Sequence, residues 1–179
     1  MRTVDLILHP VRIRIVQAAM DGGTITTSEL CARMPDVSKA TMYRQVAMLV
    51  EGGLLKIAGE ERIRGAVERS YRLDPARAVL SDDEVAAMTT DDHRRGFAAA
   101  VASLLAEFEV YLDQDGADPF TDGVSYRQYV LWLSDSEKAA LIEEAFAAIR
   151  ARADQGPAPE RRRHLLSTIL FPTDAPRDS

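Results

Sequence analysis

The stretch Thr26–Gly53 decides the fold and reads TTSELCARMPDVSKATMYRQVAMLVEGG. Thr26 followed three residues later by Glu29 forms a capping box, in which each side chain accepts a hydrogen bond from the other residue's backbone N–H at a helix start. Ser38 is a second N-cap candidate, and the pair Gly52-Gly53 ends the helix that it opens. Two helices joined by a short turn predict a helix-turn-helix.

The second of these helices carries the residue types that recognise DNA. Arg and Gln read guanine and adenine edges through paired hydrogen bonds, and Lys and Thr suit phosphates. Apolar side chains also recur along it at helical spacing, at Tyr43, Val46, Ala47 and Val50. We predict that the N-terminal half enters the major groove, with contacts from Ser38, Lys39, Thr41, Met42, Tyr43, Arg44 and Gln45. The alternative is an ordinary solvated helix face.

A first helix is predicted ahead of this motif. His9-Pro10 opens it, because proline suits the first helical position, where its missing N–H costs nothing. Its predicted inward stripe consists of Val11, Ile15, Ala18 and Ala19. Its remaining polar residues are predicted to face water, namely Arg12, Arg14 and Gln17.

A β-hairpin is predicted directly after the second helix of the motif. Leu54–Ala58 and Val67–Leu73 have strand composition, and a charged tip with a glycine joins them. A hairpin in this position is a wing, and its Arg62 and Arg64 are placed to enter a minor groove or to bind phosphate. Two glutamates at the same tip, Glu60 and Glu61, oppose that contact.

The order and spacing of several short motifs resemble those of ArsR-like winged-helix regulators, in particular the subgroup with an extra C-terminal domain. The matching residues are His9-Pro10-x-Arg12, Thr41–Arg44, Gly53–Leu55, Arg64-Gly65 and Glu68–Leu73. The resemblance implies DNA binding as a homodimer, with residues 38–45 in the major groove. It covers residues 6–74.

The resemblance does not extend to metal sensing. The arsenic- and cadmium-sensing members place a Cys-x-Cys pair ahead of the last cysteine in the corresponding helix, whereas here Thr27–Leu30 precede a single Cys31. One thiol on an apolar helix face is typical of a small core residue. We therefore predict neither a metal site nor a cofactor.

A long helix over residues 89–113 is predicted to mediate dimerisation. Its apolar residues are spaced four, three, four and three, which is a heptad seam, at Phe97, Val101, Leu104, Phe108 and Tyr111. A second apolar stripe lies beside the seam, so the helix must be covered on two sides. Either a second copy covers one side, or a single subunit buries both.

A strand–helix–strand unit is predicted over residues 124–171. Ser125–Leu133 and His164–Phe171 have strand composition, and Ser134 with Glu137 forms a capping box for a helix that runs to Ala153. Its aromatic residues are a candidate site for an unknown small-molecule effector, at Tyr126, Tyr129, Trp132 and Phe146. The same residues equally suit an ordinary core.

These elements predict a fold that is mainly α with small β. Residues 1–75 form the winged helix-turn-helix, and residues 76–179 form a domain for dimerisation and possible effector binding. Residues 1–74 carry a net charge of +2 and the rest −8, an asymmetry that favours a nucleic-acid-binding N-terminal part.

Other classes of function lack their signatures. The histidines share no ligand spacing, and no phosphate loop or nucleophile motif is present, so we predict no enzymatic activity. No membrane-spanning run or signal peptide is expected, and the protein is predicted to be cytoplasmic. The predicted function is that of a homodimeric, sequence-specific transcriptional regulator on a pseudo-palindromic operator. The alternative is a winged-helix module that binds a protein and never DNA.

Overall fold

The structure, a computed structural model, describes residues 3–20, 22–63, 65–153 and 155–173. Its helices are α1 (Thr3–Ile7), α2 (Pro10–Ala18), α3 (Thr27–Arg33), α4 (Lys39–Glu51), α5 (Asp82–Ala86), α6 (Thr90–Leu112) and α7 (Asp135–Ala153). Its strands are β1 (Ile25–Thr26), β2 (Leu55–Ile63) and β3 (Ala66–Leu73).

The capping signals of the helix-turn-helix are confirmed. The Thr26 side chain accepts a hydrogen bond from the Glu29 backbone N–H, and the Glu29 carboxylate accepts one from the Thr26 N–H at 2.8 Å. At the start of α4, the Ser38 hydroxyl accepts from the Thr41 N–H. These bonds satisfy backbone donors that have no partner inside the helices, which is why α3 and α4 begin where they do.

The three strands form an antiparallel sheet in the order β1-β3-β2. The register of β2 against β3 shifts between Ile57 and Gly59, and both strands of the hairpin are longer than the sequence predicted. Tyr71 and Leu73 of β3 point into a core shared with α2, α3 and α4. The N-terminal winged helix-turn-helix and the mainly α fold class are therefore confirmed.

The long helix α6 packs against α2 through its small residues. Ala99 and Ser103 are buried, and Gly96 lies so close to Leu8 that an added Cβ would be 3.0 Å from a leucine methyl group. At 3.6 residues per turn, Val101 lies about 200° around the helix from Ala99, almost on the opposite side. One side of α6 is therefore covered by its own chain and the other faces outward.

The chain divides into two compact units, with the boundary between Tyr126 and Arg127. Among the described residues of the second unit, α7 has no buried residue and its apolar positions Ile142 and Phe146 are exposed. An ordinary core around Phe146, the alternative given for the aromatic residues, is therefore wrong for the described single chain.

The two predicted C-terminal strands are also wrong. Residues 124–134 and 161–173 have no regular secondary structure, although their composition is that of strands. A strand needs a neighbour that pairs with its backbone groups, and within the described ranges neither segment has one. The predicted small α/β unit is thus a single helix between two irregular segments.

Candidate nucleic-acid interface

The outward face of α4 presents a cation, an aromatic ring and a guanidinium close to its N-terminus. Lys39 and Arg44 are exposed, and the Tyr43 side chain is 59% exposed. Thr41 is half-buried, and its hydroxyl bonds with that of Ser38. Of the predicted major-groove contacts, Ser38, Lys39, Tyr43 and Arg44 have the exposure that DNA contact requires.

Two predicted contacts on α4 are wrong in their placement. Met42 is fully buried and Gln45 is 4% exposed, because the stripe that faces the core is Met42, Gln45, Val46 and Leu49. Both this stripe and the one beginning at Tyr43 follow the i, i+3, i+4, i+7 pattern of an amphipathic helix. The first one faces inward, so Gln45 cannot read a base in this arrangement.

A buried arginine explains how a glutamine is accommodated there. Arg12 is 6% exposed, and its guanidinium donates to the Gln45 Oε1 at 3.4 Å and to the backbone oxygen of Asp5 at 2.9 Å. A buried polar group is costly unless it is hydrogen-bonded. The prediction that Arg12 faces water is wrong, and its contacts join α1, α2 and α4 beneath the interface.

Arg14, also predicted to face water, is 2% exposed. It donates two hydrogen bonds to the Asp36 carboxylate and one to that of Glu107. Burial of Arg14 lowers its pKa, but the bonds and charges of the two carboxylates outweigh burial and raise the pKa overall. Sequence reasoning missed both arginines, since their partners lie far along the chain.

His9 immediately precedes α2 and lies close enough to α4 for the charge of Arg44 to act on it. Burial lowers the pKa of its imidazole, and the charges of Arg12 and Arg44 lower it further. Its Nδ1 is buried and has no hydrogen-bond partner among the described residues. The imidazole is therefore neutral at pH 7, which leaves Arg44 as the cation on the outside of this cluster.

The predicted tip of the wing, residues 60–65, has one exposed cation among its described residues. Arg62 is exposed on β2, whereas the predicted contact Arg64 lies outside the described residues. Arg69 of β3 donates to the Glu60 carboxylate at 2.7 Å across the hairpin. Glu60 thus neutralises an arginine of the wing, which makes Arg62 the candidate for phosphate contact.

A concave surface of about 410 Å³ lies between α4 and the wing. It is lined by Thr27, Ser28, Tyr43, Val67, Glu68, Arg69 and Tyr71. Tyr43 is the α4 residue in this lining, which also includes residues of α3 and of the wing strand β3.

The predicted dimerisation residues fall into two groups. Phe97, Val101 and Leu104 are exposed to 52%, 42% and 37%. Phe108 and Tyr111 are half-buried, because residues that follow α6 cover them. The Tyr111 hydroxyl donates to the Asp122 carboxylate at 2.8 Å, and Phe108 makes an edge-on contact with Tyr126.

The predicted effector residues are all exposed. Tyr126, Tyr129 and Trp132 are 73%, 72% and 76% exposed, and Phe146 is 47% exposed. Such exposure fits neither an ordinary core nor an enclosed pocket within the described single chain. An effector site at these residues stays a prediction.

Comparison with known proteins identifies the same region of the chain. The sequence profile of a family described as a helix-turn-helix domain matches residues 7–58, which span α2, α3, α4 and the start of β2. No significant match to a curated protein is found. Among the described residues, no group of three or more His, Cys, Asp or Glu side chains is arranged to hold a metal ion. No described helix is long and apolar enough to cross a membrane.

Proposed function

We propose that the chain is a sequence-specific transcriptional regulator that binds double-stranded DNA as a homodimer, with α4 in the major groove. The observation that carries the proposal is the exposed set Lys39, Tyr43 and Arg44 on the outward face of α4. These residues lie on the second helix of a helix-turn-helix, which is the helix that reads base edges in such domains. Arg62 of the wing supplies a further cation at the neighbouring backbone.

The homodimer is proposed to form through the outward side of α6. Five large apolar residues there are more than a third exposed, namely Phe97, Val101, Leu104, Leu105 and Leu112. Burying each leucine- or phenylalanine-sized side chain contributes about 1.5–3 kcal/mol, and contiguous apolar surface of this kind marks an interaction site. Two copies would present two recognition helices to the half-sites of a pseudo-palindromic operator.

An antiparallel pairing of two α6 helices also matches their charges. The exposed Arg94 lies one turn before the first residue of the apolar seam, and the exposed Glu109 lies within the last turn of the seam. Around a twofold axis near residues 101–104, Arg94 of one copy lies beside Glu109 of the other. Opposite charges at that position favour the pairing, whereas a parallel pairing would place like charges together.

We further propose that the chain is ArsR-like and acts in the cytoplasm, and that residues 76–179 serve dimerisation and effector binding. The order of motifs between His9 and Leu73 supports the first point. The lone, half-buried Cys31 does not supply the Cys-x-Cys pair with which the metal-sensing members of that group bind their ion. An effector bound near Tyr129 and Trp132 would be an apolar or aromatic molecule, given the chemistry of these residues.

A winged-helix module that binds only protein is the second candidate. The exposed apolar surface of α6 is consistent with it, because such a surface would bind another protein as well as a second copy of this chain. The two candidates differ in what they require of Arg44 and Lys39. These cations are essential for a regulator that binds DNA and dispensable for a module that uses α6.

Selection from a random pool of double-stranded DNA tests the proposal, followed by fluorescence anisotropy on the selected sequence. Arg44→Ala is expected to weaken binding by about 5- to 150-fold per half-site, which corresponds to the ~1–3 kcal/mol of one paired contact to a base. Arg69→Ala is the matched control, because Arg69 is already paired with Glu60. Recovery of no preferred sequence, or equal affinity of Arg44→Ala and wild type, would favour the protein-binding module.

A further inference from the structure

Arg14 is a buried cation that joins three separate parts of the chain. It lies on α2, and its side chain is 1% exposed. Its Nη1 and Nη2 donate to the two carboxylate oxygens of Asp36 at 2.6 and 2.8 Å, and its Nε donates to Glu107 at 2.7 Å. The planar guanidinium therefore uses two edges for two carboxylates that are 71 positions apart in the sequence.

The two partners of Arg14 lie beside the two helices to which the proposed function assigns DNA binding and dimerisation. Asp36 is in the turn between α3 and α4, two residues before the Ser38 cap of the recognition helix. Glu107 is on α6, the proposed dimerisation helix. Arg14 thus joins the element that would contact DNA to the element that would contact the second copy.

The guanidinium of Arg14 couples the positions of the two carboxylates that it binds. A guanidinium bonded on two edges holds both carboxylates in fixed orientation, which a lysine ammonium in the same place would not. The Arg14 hydrogen bonds lower the pKa of Asp36 and keep it ionised. Because a charge with 1% exposure cannot be solvated by water, loss of one carboxylate changes the position of the other rather than leaving the site unaltered.

A second contact keeps α6 on the winged helix independently of Arg14. Arg95, near the start of α6, is paired with Asp92 on its own helix and with Asp5 of α1 at 3.4 Å. Ala99 and Ser103 are buried between these two clusters. Removal of Glu107 therefore loosens one end of α6 without undocking the helix.

We propose that Arg14 is a positioning residue: through Asp36 and Glu107 it sets the orientation of the recognition helix relative to α6, and thereby the spacing between the two recognition helices of the dimer. This inference rests on the proposed function. The selectivity for half-site spacing is then a property of the Arg14–Glu107 contact, and the affinity for one half-site is a property of α4 itself. Asp36 takes part in both, because it holds the turn on which α4 begins.

The test compares Glu107→Ala with Asp113→Ala, which removes an exposed carboxylate just after the end of α6. The DNA probes contain the half-site selected by the wild type, either as a single copy or as two copies with zero to three base pairs inserted between them. For Glu107→Ala, the preference for the best spacing is expected to fall by about tenfold, as expected for loss of one charge-assisted hydrogen bond. Affinity for the single half-site is expected to stay within about twofold of wild type. Glu107→Gln, which keeps a hydrogen-bond acceptor without the charge, should lie between.

A second readout separates this inference from the proposed function. Amide hydrogen exchange at Val37 and Thr41, which are bonded to Met34 and Ser38, reports the turn before α4 without any DNA. Faster exchange there in Glu107→Ala, but not in Asp113→Ala, supports the coupling even if the wild type selects no DNA sequence. Unchanged exchange, or a spacing profile equal to that of Asp113→Ala, overturns it.

Discussion

DNA binding by this protein should weaken steeply with salt, and the exposed cations of the interface set the steepness. Lys39 of α4 and Arg62 of the wing are the described cations that we assign to phosphates, whereas Arg44 is assigned to a base. A dimer then neutralises four phosphates. Each neutralised phosphate of duplex DNA contributes about −0.9 to the slope of log K against log salt, so the slope is about −3.6.

The consequence is large enough to measure by anisotropy. Between about 50 and 200 mM salt, a slope of that size weakens binding by about 150-fold. Lys39→Gln removes one cation from each copy and should make the slope shallower by about 1.8. Arg44→Ala should weaken binding at every salt concentration and leave the slope close to that of wild type, because the lost contact is to a base.

Arg69→Gln is the control for this experiment, since Arg69 is already paired with Glu60 and is not counted among the phosphate contacts. Its slope should equal that of wild type. A wild-type slope shallower than about −2, or a slope that Lys39→Gln leaves unchanged, would refute the assignment of Lys39 and Arg62 to phosphates. A slope that becomes shallower in Arg44→Ala would instead show that Arg44 binds the DNA backbone.

Three further predictions concern stability and assembly. Gly52→Ala should destabilise the fold by about 1–3 kcal/mol in urea unfolding, because the added Cβ would overlap a methyl group of the buried Leu6. Gly23→Ala is the control, because a Cβ added there would have no atom within 4 Å. His9 has its pKa lowered by burial and by two arginine charges. Stability should therefore fall as pH drops below about 6.5, the pKa of histidine in the unfolded chain. In His9→Gln, the urea midpoint should change less between pH 7 and pH 5 than it does in the wild type. Leu104→Glu should reduce the sedimenting mass from twice 19.7 kDa to 19.7 kDa; a variant that stays dimeric would contradict the α6 interface.

The parts of the fold that were predicted correctly depend on local signals. The caps at Thr26, Ser38 and Ser134 act over three residues, and each opens a helix in the structure. The hairpin follows from composition and a turn glycine, and Gly65 indeed has a positive φ of 87°. Such interactions are complete within a short window, so the sequence alone is sufficient to identify them.

The candidate site was predicted less well because the orientation of a helix depends on distant residues. Two stripes of the same period compete on α4, one through Met42 and Gln45 and the other through Tyr43 and Val50. Gln45 is polar, and on composition alone it belongs outside. Burial becomes acceptable only with the hydrogen bond from Arg12, 33 positions earlier, and no local pattern announces that pairing.

The same limit applied to the segments after Gly123. Ser125–Leu133 and His164–Phe171 were predicted as strands from β-branched and aromatic content, a preference that reflects packing on a sheet rather than the backbone itself. Because neither segment lies beside a strand among the described residues, that preference does not produce a strand there. The exposure of Trp132 and Leu166, at 76% and 69%, is the measurable form of this difference.

The two sides of α6 explain why a contact far from DNA can govern DNA binding. One side packs on α2 through small residues and ends at Glu107, and the other presents Val101 and Leu104 for a second copy. Because a helix is rigid over this length, any partner that tilts the outward side also moves Glu107 relative to Arg14. Arg14 is bonded to the turn before α4 by two further hydrogen bonds. A ligand that binds the dimer of one α6 geometry more tightly than another would therefore select one spacing of recognition helices, and its effect on affinity cannot exceed that difference in binding free energy.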